Sequence, residues 1–154
     1  SAGMPGRPVR QIEENVNAAR WGNLLFRYSG RPADRELAGH AMKYLASPAL
    51  VRNRRFLTGV LLADAELASE PEHVTVLGPK NDPTALALHR AALAHPFLYR
   101  RIEWWDRKEG PLPNADVEYP ELEKPAAFLC VNGACSTPFF TPEKLLAGLE
   151  RLDK

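Results

Sequence analysis

The chain has only two cysteines, almost no net charge and no long apolar run. Each shortage removes a class of protein. Two cysteines cannot build the dense disulfide framework of a small secreted domain. No apolar stretch approaches the roughly 20 residues of a membrane-spanning helix. Twenty Lys and Arg against 19 Asp and Glu leave a formal charge of +1, so no global field draws nucleic acid or an anionic membrane. The local basic runs, Arg52-Asn53-Arg54-Arg55 and Arg100-Arg101, read as solvated charge at element ends.

Chemistry-bearing residues are equally sparse. The four histidines, His40, His73, His89 and His95, lack the close paired spacing of a zinc site. His89 and His95, six apart, fall on different faces of a helix. The segment Gly78 to Thr84 joins a strand end to a helix start, where backbone amides can receive an anion. It has no glycine-rich cradle and reads as an ordinary connection. Glu13-Glu14 and Asp64 with Glu66 are not spaced to converge on one helix face, so they read as solvated carboxylates and not an acid/base couple. With so few histidines no Ser/His/Asp order can be argued. Nothing here calls for a cofactor, a metal, a nucleic acid or a membrane. No secretory signal is visible, so a cytoplasmic protein is expected. Ser1-Ala2-Gly3 ahead of Met4 reads as an appended remnant outside the fold.

What remains is an ordinary globular composition, 45% hydrophobic and 25% charged over 154 residues, enough for one compact domain over residues 4–154 with its own core. The first part, 4–70, reads as about three helices. Ile12, Val16, Ala19 and Phe26 form one helical stripe, and Trp21, Leu25 and Tyr28 a second, so a helix over Val9 to Tyr28 is covered on more than one side. Gly30 ends it and Pro32 opens the next, which buries Leu37, Ala41, Tyr44 and Leu45 and stops near Ser47-Pro48. A third helix is expected from Ala49 to Ala68, with Phe56, Val60 and Leu67 on one flank and Leu57, Leu61 and Ala65 on the next. That apolar surface is broader than one helical neighbour needs. The first two helices have the look of a tetratricopeptide hairpin, but the 34-residue period does not recur.

The character changes at Glu70-Pro71, and 71–154 reads as a small α/β part. His73 to Pro79 is a strand signal closed by Gly-Pro. Asp82 and Pro83 open a helix carrying Leu86 and Leu93. Arg100 to Asp106 is a second strand, with Trp104 and Trp105 on opposite faces. Strand, helix, strand over about 33 residues predicts a right-handed parallel crossover. A proline-rich ordered loop follows, then a third strand, Ala126 to Val131. Thr141-Pro142-Glu143 caps a last helix bearing Leu145, Leu146, Leu149 and Leu152. The predicted class is therefore α/β in an α+β arrangement: three helices, then a small, mostly parallel sheet with flanking helices and a C-terminal Cys-x4-Cys hairpin.

Both cysteines lie in CVNGAC, Cys130 to Cys135. Asn132-Gly133 is the strongest short signal for a type I′ turn, since both central residues need positive φ. Val131 then faces Ala134, and Cys130 faces Cys135 as the next, non-hydrogen-bonded pair, about 4.5 Å apart at Cα. That lies within reach of a disulfide, whose short loop contributes on the order of 2 kcal/mol. Three readings stay open: two reduced thiols packing beside Phe128 and Phe139, a structural or switchable disulfide, and a metal clip. Against a reactive dithiol, no Lys, Arg or His lies within five residues of the pair to lower a thiol pKa.

Three stretches, ENVNAARWGNLLFRYSG, PEHVTVLGPKNDPTALAL and AAFLCVNGACSTPFFTPEKLLAGL, together resemble the C-terminal region of the spermatogenesis-associated, thioredoxin-domain-containing protein family. The last is the most specific: a strand, Cys130, four residues, Cys135, then Pro138, Thr141 and a helix with Leu145. The resemblance implies a place at the end of a larger architecture, behind a thioredoxin-like domain and an α/α toroid like that of six-hairpin glycosidases and sugar epimerases. The thioredoxin Cys-x-x-Cys is absent here, and about three toroid helices cannot complete a sugar pocket. The first expectation is therefore a non-catalytic accessory domain whose partner is the remainder of a larger protein or a second copy of itself. The alternatives are a thiol–disulfide redox module using Cys130 and Cys135, and a fragment of a sugar-processing enzyme.

Overall fold

The computed structural model describes residues 11–52, 58–96 and 98–151. It divides into two compact units: Ser1–Phe26 with Arg31–Ser69, and Arg27–Gly30 with Glu70–Lys154.

The helical unit contains α1 (Ile12–Ser29, whose last residues count with the other unit), α2 (Pro32–Leu45), α3 (Pro48–Arg52) and α4 (Thr58–Ala68). Its core is Val16, Ala19, Ala41, Leu45, Val60 and Ala63, small and branched residues at helical spacing. Gly22 lets α1 and α2 approach closely, since a Cβ there would lie 3.1 Å from the Asp34 carbonyl oxygen. Glu66 on α4 is buried and accepts two bonds of 2.8 Å from Arg20, Nε to Oε2 and Nη2 to Oε1. Asn23 Nδ2 donates to the Glu66 carbonyl oxygen. Of the expected third helix, α3 and α4 are the described parts, on either side of residues 53–57. Residues 53–57, which carry Phe56, Leu57 and most of the expected basic run, lie outside the described residues, as do Val9 and Leu152.

The α/β unit is built on a four-stranded sheet: β1 (Glu72–Leu77), β2 (Arg100–Trp105), β3 (Ala126–Val131) and β4 (Ala134–Cys135), in the order β2-β1-β3-β4. The parallel strand-helix-strand pairing of the expected crossover is present. β1 and β2 are parallel, joined through α5 (Pro83–Ala94), whose Asp82 side chain accepts from the Thr84 and Ala85 amides. The expectation of a mostly parallel sheet is corrected: β3 runs antiparallel to β1 and β4 antiparallel to β3. No helix of crossover length intervenes between β2 and β3. A 3-10 turn (Arg107–Glu109) leads into a proline-rich loop that delivers the chain at the end where β1 and β2 finish, with Ala126 opposite Leu77. From there the strand can only run back.

The two sheet faces differ in chemistry. Val74, Val76, Ala127 and Leu129 pack with Leu88, Ala92, Leu145 and Leu149 from α5 and α6 (Pro142–Leu149), forming the main core. The opposite face carries His73, Thr75 and Leu77 on β1, Arg101, Glu103 and Trp105 on β2, and Ala126, Phe128 and Cys130 on β3. Val117 and Tyr119 of the loop pack against its apolar part. Trp104 and Trp105 lie on opposite faces, as alternation requires: Trp104 against the His89 ring, Trp105 against Tyr119.

Gly78 ends β1 with φ +146°, and a Cβ there would sit 2.9 Å from the Pro125 ring. Backbone conformation and space both require glycine. Gly78→Ala is expected to lower unfolding stability by about 1–3 kcal/mol, read as a fall in the urea midpoint without a change in m-value.

Candidate disulfide site

The cysteine pair occupies the hairpin that the sequence predicts. Asn132 and Gly133 take φ 50° and 76°, the left-handed pair of a type I′ turn. Val131 faces Ala134 and Cys130 faces Cys135. The sulfurs are bonded at 2.01 Å, with Cα atoms 4.0 Å apart. The packed-thiol and metal-clip readings of these two residues therefore give way to a disulfide. The Ser136 amide closes the ladder on the Leu129 carbonyl oxygen at 2.8 Å. The sulfurs are unequally placed: Cys130 is buried on the polar face of the sheet, whereas Cys135, on the two-residue edge strand, is exposed.

The pair does not stand alone. Register places His73 beside Cys130, with Arg101 beside His73. One row across the sheet thus reads Arg101, His73, Cys130, Cys135. In the next row Glu103 lies beside Thr75. His73, Thr75, Arg101 and Glu103 are all buried, and buried polar groups need partners. His73 Nε2 lies 2.8 Å from Glu103 Oε2 and 2.8 Å from Thr75 Oγ1. Arg101 holds Glu103 Oε2 at 2.9 Å through Nη2 and Asp116 Oδ2 at 2.6 Å through Nη1. Tyr119 donates its hydroxyl to Thr75 Oγ1 at 2.8 Å, and the Tyr119 hydroxyl oxygen lies 3.9 Å from Cys130 Sγ. A continuous line of polar contacts therefore runs from the buried sulfur, 3.9 Å from the Tyr119 hydroxyl, to a carboxylate at the surface.

Burial, the largest influence, pushes the Tyr119 phenol up to about 12, with Glu103 adding in the same direction and the bond to Thr75 opposing. The tyrosine is accordingly a neutral hydroxyl at physiological pH. A cavity of about 110 Å³ adjoins the row, lined by His73, Arg101, Asp116 and Cys130, with Arg27 and Glu70 among its other walls. That is room for several water molecules.

Local spacing around the cysteines concealed these neighbours, because the imidazole and guanidinium arrive from other strands. The available signal lay elsewhere. His73 and Thr75, and Arg101 and Glu103, are polar residues two apart within otherwise apolar or aromatic strands, which alternation puts on one face. Another cavity, about 270 Å³, lies at the C-terminal ends of β1 and β2 over Leu77 and Trp105. Arg107 there stacks 4.5 Å over Trp105 and donates to the Tyr119 and Pro120 carbonyl oxygens, pinning the loop.

A raised phenol pKa stabilises the fold below the unfolded value and is lost as pH climbs through the folded one. Wild-type stability is therefore expected to fall between pH 10 and about 12 in excess of Tyr119→Phe, by denaturant unfolding at stepped pH. Among the described residues no helix is long and apolar enough to cross a membrane. No family model, curated protein or solved structure matches the chain.

Proposed function

We propose that the α/β unit is a thiol–disulfide exchange module. The observation that carries this reading is the asymmetry of the bonded pair: Cys135 exposed on an edge strand, and Cys130 buried among hydrogen-bonding groups. Exchange needs a sulfur that a partner thiolate can reach and a second that can leave with the electron pair. The short loop adds only on the order of 2 kcal/mol as a cross-link, small beside a core of two helices packed on a sheet. The partner class is a dithiol protein. The sequence resemblance points to the thioredoxin-like domain of a larger architecture, within which this chain acts as an accessory unit.

Incubation of the native chain with excess small dithiol should release two thiols with the fold intact, and Cys130→Ser should trap a mixed disulfide at Cys135. A disulfide that yields only after global unfolding would overturn the reading.

The helical unit favours a companion reading, a non-catalytic packing surface. Leu61 on α4 is 67% exposed, in line with the over-broad apolar surface expected of the third helix, and Trp21 on α1, expected to be covered, is 61% exposed; large apolar side chains in water favour association. The occupant would be the remainder of a larger protein or a second copy. Sedimentation across a concentration series should show self-association that Trp21→Ser with Leu61→Ser abolishes; a monomer at all concentrations would remove the second copy as occupant.

A further inference from the structure

We propose that Tyr119, Thr75 and His73 form a proton relay that neutralises the Cys130 sulfur when the disulfide opens, an inference that rests on the exchange reading above. Atoms already in contact carry it. Sγ, the Tyr119 hydroxyl, Thr75 Oγ1 and His73 Nε2 follow one another at 3.9, 2.8 and 2.8 Å. Three of the four side chains come from adjacent strands of one sheet face, so the order is fixed by register.

The need is physical. A partner thiolate attacks Cys135 Sγ. The Cys130–Cys135 bond breaks, a partner–Cys135 bond forms, and the electron pair departs on Cys130 Sγ. That sulfur is buried, and an unpaired buried anion is costly. In the disulfide form Tyr119 donates to Thr75. Once Sγ carries charge, each hydroxyl hydrogen turns toward it. Tyr119 gives its proton to Sγ and takes that of Thr75, and Thr75 takes the proton of Nε2. Both hydroxyls end neutral, and the His73 ring recovers its proton from water in the adjoining cavity, the net change being one proton moved from solvent to the thiol. The second thiol of the partner then attacks the mixed disulfide, releasing Cys135 as a thiol and leaving the partner oxidised.

The surroundings suit that donor. Glu103 Oε2 and Thr75 Oγ1 both lie 2.8 Å from Nε2, so a proton on that nitrogen is shared between the carboxylate and the hydroxyl. Arg101 holds that carboxylate in place and is tied in turn to Asp116, whose side chain is 44% exposed. Arg27 and Glu70, from the end of α1 and the approach to β1, complete the charged lining of the cavity through which water reloads the imidazole. Phenol burial contributes as well: a hydroxyl that does not ionise passes a proton on and keeps none of the charge.

The test is the rate at which a small dithiol reduces the native, full-length chain, measured across about pH 6 to about pH 9 and expressed as wild type over variant, so that ionisation of the attacking thiol cancels. Thr75→Val and Tyr119→Phe should each slow reduction by at least about tenfold near neutrality, with the ratio shrinking as pH rises. Thr75→Ser, which keeps the hydroxyl, should restore both rate and profile. A ratio that stays constant with pH, or a Thr75→Val rate equal to wild type, overturns the relay while leaving exchange standing. A wild-type disulfide inert to the dithiol in the native state overturns the exchange reading itself.

Discussion

Strand β1 is hydrogen-bonded along both edges, parallel to β2 on one side and antiparallel to β3 on the other. The site depends on that double pairing. It sets His73 between Arg101 and Cys130, and Thr75 between Glu103 and Phe128. A one-residue slip of β1 would send His73 and Thr75 into the apolar layer under α5 and α6, and would turn Val74 and Val76 toward the loop. The main core resists this slip, since Val74 and Val76 are fully buried against Leu88, Leu145 and Leu149. Packing on one face therefore holds the polar register of the other.

The polar face is costly to build. Burying an arginine, a glutamate and a histidine on one sheet demands partners, because low local dielectric penalises every unmet group, and of these side chains the buried Arg101 Nε goes without one among the described residues. Here the partners come from three directions: neighbouring strands, the proline-rich loop through Asp116 and Tyr119, and the Asn114 carbonyl oxygen, which accepts from Arg101 Nη2 at 3.0 Å. The loop is thus the third layer of the unit. It is pinned at Trp105 Nε1, which donates to the Gly110 carbonyl oxygen, at the Arg107 stack, and at Asn114, whose Nδ2 donates to the Arg27 carbonyl oxygen. Its prolines restrict the unfolded chain and suit a long connection without strand partners.

The hairpin adds the disulfide to this frame. Asn132-Gly133 fixes where the chain reverses. Two residues then separate the strands, and the cysteines become facing, non-hydrogen-bonded neighbours. An edge strand of two residues leaves one sulfur in water while β3 carries the other under Tyr119. A hairpin one residue longer would have broken the pairing. The chemistry proposed here follows from that short edge.

The sequence by itself determined the elements whose signals are local. The α5 and α6 starts follow from Asp82-Pro83 and Thr141-Pro142, the I′ turn from Asn132-Gly133, and the opposed faces of Trp104 and Trp105 from strand alternation. It also determined that Cys130 and Cys135 face each other, because a two-residue turn leaves no other register. Tertiary structure alone decided the direction of β3, since a proline-rich loop can deliver a strand in either sense until the end at which it arrives is fixed. It alone decided the company of the disulfide as well. Arg101 lies 28 residues from His73 along the chain and Cys130 lies 57 from it, and only hydrogen bonds between strands make them neighbours.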